Sequence, residues 1–541
     1  MKRAMERVDI KREDLERLVE HARPALSEAE YQQLKAALDT LVYLTQLLEN
    51  KNTTIWRLRQ ILFGASTEKT AAVLKSLVAG GNTTLDHDGA TQPPGDAGGA
   101  EPPREGHGRN GAKNYPGAVT IPVPHPDLSA GLLCPECRRG KLYEVTPAGT
   151  LVRVTGQAPL AATVYELQKL RCNLCLEGFT ATPPEGVGAE KYDAGAASMI
   201  ALLKYGSGVP FYRLAGLQDS LGVPLPASTQ WEIVEKTAAL IQPAFKELIR
   251  QAAQGEVVHN DDTPMKILAH RQDAQSEDSA PSAERRGVFT SGIVSTRAGR
   301  TIALFFTGQK HAGENLADVL AQRAVQLGPP IQMADALSRN FVGPIKTIVA
   351  NCIAHARRRY VEVAPHFPEE CRFVLETLAE VYKHDAQCKQ QRLSPEQRLC
   401  FHQTHSSALM STLETWLAEQ FAQRKVEPNS GLGEAIKYLR KHWSELTLFL
   451  RKAGAPLDNN LCEQILKRAI LHRKNALFYK TDKGAQVGDA FMSLIHTCGL
   501  VDANPFDYLT ALQTHAAALS QNPHQWMPWN YRETLARVDS S

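Results

Sequence analysis

The sequence predicts a multidomain α/β protein, and three observations carry that expectation. From residue 256, EVVHNDDTPMKIL, GVFTSGIVS and RTIALFFTG are successive runs rich in Val, Ile, Phe and Thr, followed by alternating strand-like and helix-like segments. Two C-x-x-C pairs lie among shorter strand-like runs upstream. Before them, residues 26 to 62 carry an apolar residue at every seventh position. At 541 residues the chain is long enough for three or four domains. Its 43% hydrophobic and 22% charged residues fit a globular protein and exclude collagen-like, mucin-like or wholly disordered classes.

The seven-residue repeat is Leu34, Leu41, Leu48, Ile55 and Leu62. Such a repeat makes a seam for a left-handed coiled coil. Leu38 fills the partner position once, and Thr45, Asn52 and Arg59 weaken it afterwards. Residues 1–78 are therefore expected to be a helical, coiled-coil region through which protomers pair; packing of this helix on its own domain is the alternative. Residues 79–116, rich in Gly and Pro and poor in large apolar residues, read as a flexible linker.

Residues 117–190 hold Cys134, Cys137, Cys172 and Cys175. Each C-x-x-C presents two thiolates to one metal, and two such knuckles complete the closed four-cysteine geometry of structural zinc. One Zn2+ in a zinc-ribbon-like module is expected; a redox dithiol is the alternative, disfavoured because neither pair opens a thioredoxin-like unit. The other six cysteines are scattered singly, which suggests a reducing compartment. The opening MKRAMERVDIKREDLER has no apolar stretch of a secretory kind, and no run of about 18 apolar residues follows, so a cytoplasmic protein without a membrane partner is expected.

Residues 191–255 read as three helices, Ala194 to Lys204, Phe211 to Leu221, and Thr229 to about Ala253 with Ser228 as its cap, in a helix-turn-helix-like DNA-binding arrangement. The α/β pattern of residues 256–500 is interrupted by an all-helical insertion at about 367–446, and residues 501–541 form a helical tail.

Within this frame Asp261 and Asp262 end the first strand in HNDDTP, Asp335 ends another in QMADAL, and Glu463 follows a candidate helix cap in DNNLCE. Carboxylates so placed can hold two Mg2+ (or Mn2+) ions for phosphodiester chemistry. By spacing alone the signal is weak, because 58 acidic residues offer many such triples. Basic residues flank the candidates. Residues 440 to 483 contain ten Lys or Arg against four Asp or Glu, in a chain whose net charge is only +3. Arg357, Arg358, Lys467, Arg468, Arg473 and Lys474 are candidate phosphate contacts, and a solvated helix face is the alternative for either run. For His355, a core position, a phosphate contact and general-base work are open, in that order.

Several motifs in order resemble the transposases of the insertion-sequence-66 family, which are DDE-type enzymes: LRQILFGASTEK (58–69), CPEC and CNLC, Lys204-Tyr205, PFYR (210–213), HNDDTP (259–264), CIAHARR (352–358), DNNLCE (458–463) and RKNALF (473–478). Two departures stand out: Asp262 occupies a position where the family often has Glu, and Asp335 is followed by Ala-Leu-Ser rather than Gly-Tyr. The resemblance implies an RNase H-like mixed-sheet catalytic core carrying the helical insertion, with Asp261, Asp335 and Glu463 as catalytic residues and magnesium ligands, and Asp262 and His355 as accessory residues. It implies a mobile-element enzyme of the bacterial cytoplasm, associated with the nucleoid, that nicks insertion-sequence ends and transfers the 3′-OH into target DNA. Its partners would be DNA, further copies of itself and accessory proteins encoded by the same element. A catalytically inactive DNA-binding derivative, and a structure-selective nuclease without strand joining, are the competing expectations. An unrelated zinc-stabilised scaffold protein is a third, and it would leave the basic cluster without a role.

Overall fold

The computed structural model describes residues 122–143, 158–171, 178–188, 190–270, 287–343 and 345–538, with nine residues between 20 and 35. The seven-residue seam, the linker and Cys172 and Cys175 lie outside the described residues. The chain divides into two units, Met1–Gly81 and Asn82–Ser541. In the first, Tyr31 is buried and donates its hydroxyl to Glu20 at 2.5 Å, with Arg23 over its ring.

In the second unit, a tight turn surrounds Cys134 and Cys137. Farther on, β1 (Lys169–Arg171) pairs antiparallel with β2 (Gly178–Thr180). Helix α1 (Ala194–Ala201) is capped by Asp193, whose carboxylate accepts the N–H of Ala196, and runs into a π-helical turn at Leu202–Gly206. Helices α2 (Phe211–Ser220) and α3 (Ala227–Ala252) follow. The third helix thus starts two residues earlier than its sequence suggests. Pro226 stands at the N-cap and Ser228 lies inside the first turn, because proline's fixed φ suits a helix start where no N–H is needed.

The three strand-like runs form β3 (Val257–Met265), β4 (Val288–Arg297) and β5 (Arg300–Gly308), an antiparallel meander. Helix α4 (Ala312–Leu320) leads to β6 (Ile331–Ala334) and then β7 (Ile348–Asn351), both parallel to β3. The result is a five-stranded mixed sheet in the order β5-β4-β3-β6-β7, with β3 at its centre. Helix α5 (Ile353–Val363) leads into a helical region, α6 (Pro368–Gln390), α7 (Pro395–His405), α8 (Ser407–Ala422), α9 (Gly431–Lys441) and α10 (Trp443–Leu446). The chain returns to the sheet in α11 (Asn460–Ala476) and α12 (Asp482–Leu500), and ends in α13 (Pro505–Thr514), α14 (Ala516–Gln521) and α15 (Tyr531–Val538).

Two contacts fix the layers. Helix α11 lies across β3 and β4, where Gly292 makes room for it: a Cβ there would meet Leu466 at 2.9 Å. Helix α12 covers the edge strand β5. Its Asp489, Ser493 and Thr497 accept the N–H groups of Thr307, Phe305 and Ala303 at 2.7, 2.9 and 3.1 Å. Four helical residues rise about 6 Å and two strand residues about 6.7 Å, so side chains four apart meet every second N–H. An edge that would otherwise offer unpaired donors is thereby closed. Among the described residues no helix is long and apolar enough to cross a membrane.

Candidate active site

Strand alternation separates the two neighbouring aspartates of β3. Asp261 shares a face with His259 and Thr263, the face that α11 covers through Asn459 and Arg473. Asp262 lies on the other face, its side chain fully buried, with one oxygen 2.9 Å from His311 Nδ1 and the other 3.4 Å from Arg339. Its charge is thus matched by groups at the start of α4 and in the turn at Ser338–Asn340.

Asp335 comes next to Asp261 by register. His259 of β3 pairs with Met333 of β6, and both aspartates follow that pair by two residues, hence on the same face. The Asp335 carboxylate is held by the Nδ2 of Asn340, a fully buried residue whose carbonyl accepts Asn260 Nδ2 and Gln332 Nε2, each at 2.7 Å.

Glu463 stands in the first turn of α11, and His355 in the first turn of α5, with Nε2 3.8 Å from Glu463 Oε1. Two helix N-termini therefore meet here, and each favours negative charge. The connection is locked by Asn459, fully buried. Its side chain donates to the Asn260 carbonyl at 3.1 Å and meets His259 Nδ1 at 3.1 Å, while its backbone N–H points at Cys352 Sγ at 3.2 Å. Sequence reasoning saw in Asp458–Asn460 only a helix cap. The cap interaction present is local, Asp458 accepting the N–H of Asn460, and Asn459 instead joins three elements. Burial pushes His259 down to about 4, so its ring is neutral at pH 7.

The electrostatics of Asp261 record the convergence. Burial, then the negative charges of Asp335, Asp262 and Glu463, push its carboxyl up to about 7, against the relief of a hydrogen bond from the Asp262 N–H. Glu463 Oε1 is buried without a hydrogen-bond partner among the described residues. Carboxylates that repel one another favour a hard divalent cation between them, although the donor atoms of Asp261, Asp335 and Glu463 do not all lie within 4.8 Å of one another in the described residues. Cys352, His355 and Glu463 also place donor atoms within 4.8 Å of one another. Burial pushes the Cys352 thiol up to about 12, however, and it already faces the Asn459 N–H, so it favours packing over metal ligation.

The basic candidates divide by environment. Lys467, Arg468 and Lys474 are exposed on the outer side of α11, together with Leu471. Arg473 is turned inward and donates to Thr263 Oγ1 at 3.0 Å and to the Pro264 carbonyl, stapling α11 to the end of β3. Arg357 is half-buried and Arg358 exposed on α5. At the cysteine turn, Cys134 donates its N–H to Gly140 at 2.7 Å and accepts that of Arg138, which takes a positive φ of 52°. Backbone N–H groups of Gly140 and Arg139, and the Cys134 side chain, lower the Cys137 thiol.

The sequence model described as "Transposase IS66 family" matches residues 191–487, more than half of the chain. The chain belongs to this family. The match runs from α1 into α12 and takes in Asp261, Asp335, His355 and Glu463. Transposases of this family are DNA-processing enzymes and bind DNA. Two relatives from Sinorhizobium fredii (strain NBRC 101917 / NGR234) bear the names Uncharacterized protein y4jD and Uncharacterized protein y4hP. The first is 25% identical over 384 residues, covering 67% of this chain and 71% of its own. The second is 24% identical over 433 residues, covering 74% and 73%.

Proposed function

We propose that this IS66-family transposase is a DDE enzyme with an RNase H-like core, in which Asp261, Asp335 and Glu463 bind two Mg2+ ions. The observation that supports the reading is that Asp335 and Glu463 add to burial in raising the Asp261 carboxyl. The bound ions would activate an attacking oxygen and stabilise a leaving one in phosphodiester chemistry. Asp261 would hold them from the middle of β3, which runs on to Met265 and does not end at the aspartates as the sequence suggests, Asp335 from just past the end of β6 and Glu463 from the α11 N-terminus, with Asn459 and Asn340 steadying these segments. His355, beside Glu463, would steady that carboxylate or approach a phosphate. The reaction would begin with hydrolysis at an element end, freeing a 3′-OH. That hydroxyl would then displace the 3′-oxygen of a target phosphodiester in line.

Lys467, Arg468 and Lys474 would meet the DNA backbone without reading its sequence. Cys134 and Cys137, with Cys172 and Cys175, would hold one structural Zn2+, and the N-terminal helix would pair protomers so that two element ends are handled together. Accessory proteins from the same element, and a nucleoid-associated cytoplasmic location, complete the proposal.

The test is cleavage and strand joining on DNA carrying candidate element ends, with Mg2+, comparing the wild type with Glu463→Gln. Nicked and joined products from the wild type alone support the reading. Nicks without joining favour a plain nuclease. DNA binding without products from either protein favours an inactive derivative. Equal activity in both proteins removes Glu463 from the site.

A further inference from the structure

Lys204 lies in the π-helical turn between α1 and α2, and only 8% of its surface is exposed. Among the described residues its ammonium makes no hydrogen bond and no ion pair; its nearest feature of opposite character is the face of Phe211, 5.0 Å away. A cation so enclosed and without a partner is costly, and a methionine would fill the same apolar space without that cost. Burial alone pushes the group down to about 8, so at neutral pH it remains mostly protonated and no carboxylate offsets it. Its charge also bears on His472 of α11 and helps keep that ring neutral.

The position of this cation is informative. The turn after it, at Gly208 with a φ of +72°, presses on α11: a Cβ there would lie 3.3 Å from Asn475 and 3.5 Å from Leu471. Lys204 therefore stands beside the C-terminal half of the helix whose first turn carries Glu463. From Glu463 to Asn475 that helix rises about 18 Å, roughly five nucleotide steps of a DNA strand. Between the two lie the exposed Lys467, Arg468 and Lys474. Beyond Lys204 the exposed Tyr212 and Arg213 continue the surface.

We propose that Lys204 binds a backbone phosphate of the DNA that runs along α11, about five nucleotides from the reacting bond. The inference rests on the DNA-processing reading above and adds to it a half-enclosed anion site outside the carboxylate cluster. The phosphate supplies the charge that Lys204 lacks, and the enclosure of the ammonium makes that contact stronger than one on an exposed side chain.

The experiment measures affinity of the full-length protein for a short random-sequence duplex over a range of salt concentrations, for the wild type, Lys204→Met and Lys204→Arg. Lys204→Met is expected to weaken binding about tenfold, equally for all sequences, and to reduce the salt slope by about one. Lys204→Arg is expected to keep the slope. A steep wild-type salt dependence with no change in Lys204→Met overturns the inference and leaves the DNA reading standing. Wild-type protein with no salt-dependent binding overturns both. If the variants fail to fold, reductive methylation of the wild type followed by mass spectrometry decides: DNA must protect Lys204, and equal labelling with and without DNA rejects the contact.

Discussion

Replacing Asp261 by asparagine should stabilise the metal-free protein while removing its activity. The carboxyl is raised from 3.8 to about 7 by burial and by Asp335, Asp262 and Glu463. For a carboxyl raised in the folded state, the native protein binds more protons than the unfolded chain between those two values. Stability is therefore lost as pH rises through this window and stays low above it. Three units correspond to about 4 kcal/mol, which partial solvent access reduces to about 2 kcal/mol. Asparagine keeps the acceptor for the Asp262 N–H and offers its amide to the neighbouring carboxylates. Metal-free melting curves at pH 8 should place Asp261→Asn about 3 °C above the wild type, and the gap should close towards pH 4. Added Mg2+ should raise the wild type and leave the variant where it was. A variant no more stable than the wild type at pH 8, or a gain that does not change with pH, would refute the electrostatic convergence.

Three further outcomes follow from other parts of the fold. Asp385 in the helical insertion has the opposite sign: burial would raise its carboxyl, but His402, Arg398 and Lys389 hold it below the usual carboxylate range. Its contribution is present above pH 4 and lost in acid, so Asp385→Asn should cost about 3 kcal/mol in denaturant unfolding at pH 7 and less as pH falls through 4. Asn459→Ala leaves the Asn260 carbonyl and His259 without their partner and should cost about 2–4 kcal/mol, read from the same unfolding curves. Gly313→Ala places a Cβ 2.3 Å from the Phe341 carbonyl and 2.7 Å from that of Arg339. The backbone that seats Asn340 must move, so circular dichroism melts should fall, with a loss of about 1–3 kcal/mol.

Much of this architecture was legible because its signals are local. The Val- and Ile-rich runs marked β3 to β5, and an aspartate after a short apolar run marked the end of β6. The face that Asp261 takes followed from strand alternation once its neighbours were known. The rest was hidden for physical reasons. Asp489, Ser493 and Thr497 recur every fourth residue on a buried helix, a spacing that reads as amphipathic, and only the facing strand reveals them as acceptors for an edge. Asn459 and Asn340 act across about 200 and 5 residues of chain, and neither contact leaves a periodic or motif-like signal in the sequence. Proline fixed the start of α3 where serine chemistry had suggested a cap. The π-helical turn at Lys204 has no sequence signature distinct from an α-helix, and the isolation of its charge emerges only from burial.

The most direct test of the central claim is a titration of Mn2+ by electron paramagnetic resonance on the wild type, Asp261→Asn, Asp335→Asn and Glu463→Gln, each shown to be folded. The account predicts that the wild type binds the ion at one carboxylate centre and that each of the three substitutions sharply weakens that binding. Unchanged binding in the three variants, with each fully folded, would contradict it.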